Sequence, residues 1–338
     1  MNFQNIAPVE KTQKYLDIAF KRARERGKSK KLRGNWLEIV RKKDTLKVDI
    51  VKDSIVVRLE KMYNQFPKIN DLPLFYIKLM KLTLSIDEFK KSLAAIKWAI
   101  GQIQKVHREH IGKIIKCKTR PDAKAWINSF YGRVASILNQ IEENFDVLEE
   151  NRKIMKKYPD IKDMFSICFY GFPNVGKTTL LNQIAGTKAK IAHYAFTTKS
   201  INSGYFTLED TKVQVLDVPG VLAREKMNDI EMQAKLVLDL VADMVVYVFD
   251  LSGTGYIVDD QIELYHQIKD KENVLIYINK TDITPKEVVD SFDLKSETID
   301  SIKQKAVALI KEKQKVEDER AAALEAEIDS DDDLFVEE

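Results

Sequence analysis

The spacing of apolar residues changes once along the chain, near residue 160. Before that point apolar positions recur every three or four residues, the period of a helix with one buried face. Val48, Ile55, Leu59 and Met62 follow this spacing within Leu46–Phe66, and Pro67 and Pro73 punctuate the connection that follows. Ser85-Ile86-Asp87-Glu88 reads as a capping box, with a glutamate three residues after the cap. Phe89, Leu93, Ile96, Ile100 and Ile103 then form one stripe on a long helix. Pro121 suits the first turn of the next helix, and Trp126, Phe130, Val134, Ile137, Ile141, Phe145 and Leu148 carry the stripe onward. Two such helices cannot bury their stripes alone, so the pattern predicts that they pair in an antiparallel helical bundle.

After residue 160 short apolar runs alternate with helical segments. Strands are predicted at Met164–Tyr170, Val213–Leu216, Met244–Asp250 and Val274–Ile278, with a helix over Asp259–Ile268. This alternation predicts an α/β domain with a mostly parallel sheet. The fold class is therefore α + α/β. The expected domains are 1–160 (basic and helical), 161–310 (α/β) and 311–338 (a charged helix with an acidic, disordered tail).

Charge sharpens this division. The net charge of +3 hides +16 on residues 1–160 and −13 on residues 161–338. A basic helical half predicts a polyanionic partner, with nucleic acid first among them. Thr298–Ile328 is charged and helix-prone, and Asp329-Ser330-Asp331-Asp332-Asp333 is an acidic run that would compete with RNA for the basic half. Two cysteines, Cys117 and Cys168, are too few for a disulfide framework, and a reducing cytoplasm is the natural setting. Residues 1–9 carry no apolar core of a signal peptide, and the longest apolar run is too short for a membrane span, so no membrane partner is expected. His107 and His110 near Cys117 complete no metal-ligand set.

The chemistry is concentrated in the second half. Gly171-Phe172-Pro173-Asn174-Val175-Gly176-Lys177-Thr178 fits G-x-x-x-x-G-K-[ST], between a predicted strand and the helix that opens at Thr179. Glycines let consecutive backbone N–H groups face one anion, and the helix N-terminus adds partial positive charge. Lys177 would reach the β- and γ-phosphates, and Thr178 would offer its hydroxyl to Mg²⁺. Asp217-Val218-Pro219-Gly220 follows the second strand: Asp217 suits Mg²⁺ through water, and the Gly220 N–H suits the γ-phosphate. Asn279-Lys280-Thr281-Asp282 follows the last strand. The Asp282 carboxylate would accept from guanine N1–H and its 2-amino group, Asn279 would brace the loop and Lys280 would lie over the base. Adenine offers neither donor, and mismatch of this kind discriminates by about 10⁴. Between the first two motifs, Tyr194-Ala195-Phe196-Thr197-Thr198-Lys199-Ser200 offers threonine hydroxyls of the kind that order a loop around Mg²⁺ and a γ-phosphate.

Together these residues resemble the Obg-like branch of translation-factor-related GTPases and, within it, the Nog1 family. Asp229-Ile230-Glu231-Met232-Gln233-Ala234 and the Phe66–Tyr76 segment share in the resemblance, which spans about residues 1–282. It implies GTP binding and hydrolysis in large ribosomal subunit assembly. The implied partners are GTP or GDP, the pre-ribosomal large subunit, its rRNA and ribosomal proteins. The implied protein is a monomer, cytoplasmic or, in a eukaryote, nucleolar. Thr178 and Thr198 would hold Mg²⁺ directly, and Lys177, Thr198 and Gly220 would act on the γ-phosphate. Asn174 sits where related GTPases have an asparagine that helps bind K⁺. Val221 occupies the place of the glutamine that orients water in Ras-like enzymes, which implies slow intrinsic hydrolysis. Ser296 is the candidate for the last guanine-loop motif. The chain resembles a compact archaeal-type member without the long eukaryotic extension. The alternatives are an Obg- or Drg-like translation-associated GTPase, or a nucleotide-gated scaffold with negligible turnover.

Overall fold

The computed structural model describes residues 3–29, 34–185, 192–194, 201–222, 224 and 227–332. They divide into two compact units, one of residues up to 157 and one of residues from 158.

The first unit is helical: α1 (Thr12–Ser29), α2 (Trp36–Gln65), α3 (Leu74–Thr83), α4 (Ile86–Lys116), α5 (Arg120–Gln140) and α6 (Glu142–Met155). Side-chain oxygens fix three of the starts. Asn35, Ser85 and Thr119 accept from the backbone N–H three residues on, at Glu38, Glu88 and Asp122. Pro121 lies in the first turn of α5, where a missing N–H costs nothing. The core is built on α2 and α4: Val48, Ile55, Leu59, Phe89, Ile96 and Ile103 are fully or almost fully buried.

The expected single stripe over Trp126–Leu148 is divided between two helices. Ile141 (φ −111°, ψ 12°) closes α5 and opens α6. Glu142 and Glu143 sit in the first turn of α6, where a helix N-terminus favours negative charge. The break leaves Phe130, Val134, Phe145 and Leu148 all buried, so three helices rather than two share the seam.

The second unit holds a six-stranded sheet. Its strands are β1 (Ser166–Tyr170), β2 (Ala192–Tyr194), β3 (Ile201–Leu208), β4 (Thr211–Asp217), β5 (Met244–Asp250) and β6 (Val274–Asn279), in the order β2-β3-β4-β1-β5-β6. β4, β1, β5 and β6 run parallel, and β1 and β5 are buried along their whole length. Helices α7 (Lys177–Ala185), α8 (Asp229–Leu240), α9 (Val258–His266), α10 (Lys286–Asp290) and α11 (Ile299–Asp332) complete the unit.

The antiparallel edge, β2 and β3, is the addition to the expected strands. Asn202 and Ser203 on β3 are buried polar residues, so the strand lacks the apolar alternation that would have announced it. Its turn to β4 is made by Glu209 and Asp210, both at positive φ (49° and 62°), without the glycine that usually marks such a hairpin. α11 is the second departure. It runs through Asp329–Asp332, residues expected to lie in an irregular tail. Ile302, Ala306 and Val307 anchor its start in the core, and a nucleated helix extends at one hydrogen bond per added residue.

Candidate functional site

The phosphate-binding loop leaves the buried end of β1 and enters α7 at Lys177. Gly176 has φ 93°, and a Cβ there would lie 1.9 Å from the Asn279 amide nitrogen. Asn174 (φ 64°) takes the left-handed conformation that asparagine tolerates. Together with Lys177, Thr178, Thr179, Asp217 and Gly220, the loop borders a cleft of about 500 Å³.

Four side chains give the cleft its character. Lys177 is buried, and its Nζ donates to the carbonyls of Gly171 (3.0 Å) and Phe172 (2.7 Å), which hold the ammonium beneath the loop. Asp217 ends β4 in register with Phe169 on β1 and Asn202 on β3. Its Oδ2 accepts from Thr178 Oγ1 at 2.5 Å and from Asn202 Nδ2 at 2.9 Å. A hydroxyl and a carboxylate meeting at one point, both oxygen donors, fit a hard divalent cation such as Mg²⁺. Gly220 packs against the loop so closely that a Cβ would lie 2.4 Å from Pro173 N. Val221 is fully buried, and its N–H donates to Gly171 O at 3.2 Å.

A second loop cluster is built on β5 and β6, where Asp250 pairs in register with Asn279. Asn279 Nδ2 donates to Val175 O at 2.9 Å, tying this loop to the phosphate loop. Lys280 Nζ donates to Asp250 Oδ2 at 2.6 Å. Burial would push the Asp250 carboxyl up, but bonds from Lys280 and Ser252 outweigh it and hold the group below the ordinary carboxylate range. Asp282 is exposed. Ser296 lies beside β6, its Oγ accepting from Ile278 N at 2.9 Å. Thr197 and Thr198 lie outside the described residues.

Three contacts of this region escaped the sequence reading, though Glu231 entered it as part of the resemblance. Asn202 braces Asp217, and Asp250 holds Lys280. Glu231 closes a capping box with Asn228 on α8 and also accepts from Leu222 N at 3.1 Å, tying the loop after Gly220 to that helix. The available signal was polarity within a strand, at Asn202 and at the end of β5.

The other candidate cluster has ordinary structural partners. His107 Nε2 lies 2.7 Å from Asp49 Oδ1, and His110 contacts Val106 O and Ser129 Oγ. The carbonyl of buried Cys117 accepts from Arg41 Nε at 2.9 Å. Among the described residues no group of three His, Cys, Asp or Glu side chains is arranged to hold a metal. Among them, too, no helix is long and apolar enough to cross a membrane.

Comparison with known proteins reproduces this two-unit division. The NOG1 N-terminal helical domain matches residues 3–162, and a domain described as a 50S ribosome-binding GTPase matches residues 166–280. An uncharacterised protein of Methanocaldococcus jannaschii is 37% identical over 259 residues, which are 75% of this chain and 73% of its own. The chain belongs to the Nog1-like family. Nucleolar GTP-binding protein 1 of Saccharomyces cerevisiae is 29% identical over 311 residues, 90% of the Nog1-like chain and 48% of the yeast one. The chain thus spans about half the length of that relative. A crystal structure of a nucleolar GTP-binding protein 1 from Plasmodium falciparum aligns over 50% of this chain and all of its own, with 22% identity and a TM-score of 0.37. The α/β unit of this Nog1-like protein is a P-loop GTPase domain.

Proposed function

We propose that this Nog1-like GTPase is a slow, partner-stimulated switch in large ribosomal subunit assembly. In this reading residues 161–310 bind and hydrolyse GTP, and the basic residues 1–160 face rRNA. The observation that carries it is the convergence of Lys177, Thr178 and Asp217 in one cleft, on a chain that also bears a strongly basic helical unit.

Each site residue then has a task. Backbone N–H groups from Gly171 to Thr179 surround the phosphates, and Lys177 turns from the loop carbonyls toward the β- and γ-oxygens. Thr178, Thr198 and Asp217 would hold Mg²⁺, which when bound neutralises charge on the phosphate oxygens. Thr197 lies in the same segment as Thr198. Gly220 presents its N–H to the γ-phosphate, against which water attacks to release GDP and phosphate. Asn279, Lys280 and Asp282 select guanine. Asn174 would contribute to a K⁺ site, and equal turnover in Na⁺ and K⁺ would refute that part.

Slow turnover follows from Val221, an apolar side chain buried where a water-orienting group would act. The same residue favours a second reading, a nucleotide-gated scaffold with negligible hydrolysis. Single-turnover hydrolysis with and without immature large subunits separates the two. Stimulation by the particles supports the switch, and flat, near-zero rates in both support the scaffold. Sedimentation of cell extract tests the assembly role: co-migration with finished ribosomes alone would overturn it.

A further inference from the structure

We infer that the helical unit carries a phosphate-binding pocket at the seam of α1 and α2, built by Arg22, Arg26 and Arg58, and that it seats a backbone phosphate of RNA. This rests on the rRNA-facing reading of the helical unit proposed above and assigns that contact a place.

The seam is made by small residues. Ala19 and Ala23 on α1 are buried and let that helix lie close to α2. Arg22 and Arg26 stand one turn apart on α1, so their side chains share a face. On α2, Ser54 is buried, and Arg58 follows one turn later. Arg58 is half-buried and braced, its Nη1 donating to Ser54 Oγ at 2.9 Å and to Ser54 O at 3.3 Å. The three guanidinium groups border one cleft of about 270 Å³.

Charge decides what this cleft takes. Among the described residues Asp53 is the one carboxylate bordering it, and Lys52 Nζ bonds that group. Three arginines bordering the cleft therefore outweigh one acid that Lys52 already neutralises. A planar guanidinium donates two parallel hydrogen bonds to a phosphate, and a braced one loses less freedom in doing so. Exposed Val57 gives the rim an apolar side suited to a ribose or base. A phosphodiester suits three arginines around one cleft better than a lone carboxylate side chain does, because it offers charged oxygens from a stiff, repeating chain.

The test uses the full chain and a labelled RNA hairpin. Arg22→Gln with Arg26→Gln should weaken binding tenfold or more. The slope of log affinity against log salt should fall by about 1, as expected for one lost phosphate contact. Arg58→Lys keeps the charge but loses the fork, and should weaken binding several-fold. Lys90→Gln with Lys97→Gln removes the same charge from exposed positions on α4 and should cost less than twofold. Melting by circular dichroism checks that each variant is folded. Equal losses in the two double variants, or an unchanged salt slope, would overturn the pocket while leaving the RNA reading intact. Wild-type protein that fails to bind the hairpin would overturn both. Poly-glutamate binding more tightly than RNA would assign the cleft to an acidic protein. Inorganic phosphate competing as well per phosphorus as the hairpin would make it a free-phosphate site. Either result overturns the proposal.

Discussion

Asn279 joins the loop after β6 to the phosphate loop, and a double-mutant cycle with Gly176 measures that joint. In Asn279→Ala the donor to Val175 O disappears, and Val175 is almost fully buried. A buried acceptor left without a partner costs about 1–3 kcal/mol. In Gly176→Ala the new Cβ would sit 1.9 Å from Asn279 Nδ2, so the same bond must break. The residue would also hold φ 93°, a strain of about 1–3 kcal/mol. Each single change thus loses the shared bond, and the double change loses it once. The sum of the single effects should exceed the double by the worth of that bond, about 2 kcal/mol or roughly thirtyfold in an equilibrium constant. All three tryptophans, Trp36, Trp98 and Trp126, lie in the helical unit, so their fluorescence does not follow the α/β unit. Cys168 does. It is fully buried in β1, and burial pushes its thiol well above the ordinary cysteine range. Its labelling in urea, resolved by mass spectrometry from that of Cys117, therefore reports unfolding of the unit that matters. Additive costs within about 0.5 kcal/mol would refute the joint. So would an Asn279→Ala protein that binds fluorescent GDP as tightly as wild type.

Asn202→Ala removes a donor from Asp217, a bond to a charged group worth about 1.5–3 kcal/mol. The Mg²⁺ concentration needed for half-maximal GTP hydrolysis should rise about tenfold, while GDP binding in EDTA changes little. If Asp282 reads guanine as proposed, Asp282→Asn replaces an acceptor with a donor there and should lower GDP affinity by about 10⁴, read by fluorescent GDP titration. In the helical unit, the Arg152 fork beside Glu149, helped by the Val9 N–H, holds the Glu149 carboxyl below its ordinary 4.5 against the opposing effect of burial. A depressed carboxylate stabilises the fold above its unfolded value and loses that contribution as pH falls through the folded one. Urea midpoints by tryptophan fluorescence should therefore fall below about pH 4.5, and less so in Glu149→Gln. Equal acid sensitivity in the two proteins would discard this pair as a cause.

The fold class was legible because two periods were legible. Helical spacing over Phe89–Ile103 and apolar runs at β1 and β5 reflect burial, and burial is what sequence patterns record. Polarity hid the rest. β3 turns Asn202 and Ser203 into the interior, and the Glu209-Asp210 turn takes positive φ without glycine. The break at Ile141 leaves the apolar spacing intact, so a stripe alone does not distinguish one helix from two. The motif residues announced themselves by type and spacing. The residues that hold them in place, Asn202, Asp250 and Glu231, act through contacts between elements distant in sequence, which polarity in a strand hints at without naming the partner.

The loop after Gly220 explains why the proposed turnover is slow. Its backbone is tied at two successive residues: Val221 N–H to the phosphate loop at Gly171, and Leu222 N–H to Glu231 at the head of α8. Both ties fix the chain, and neither supplies a polar side chain near the γ-phosphate position. Val221 is fully buried and apolar. Water attacking phosphorus needs a group to orient it and charge to stabilise what develops on the oxygens. In the proposed reading the chain supplies charge through Lys177, and orientation comes from outside it. A cation or a partner surface would fill that place, and the nucleotide state would then persist until assembly presents it. Relaxing the clamp should not rescue the rate. Glu231→Gln, which weakens the Leu222 tie, should leave particle-free turnover as slow as in wild type, and a marked rise would show that the clamp rather than the missing group sets the pace.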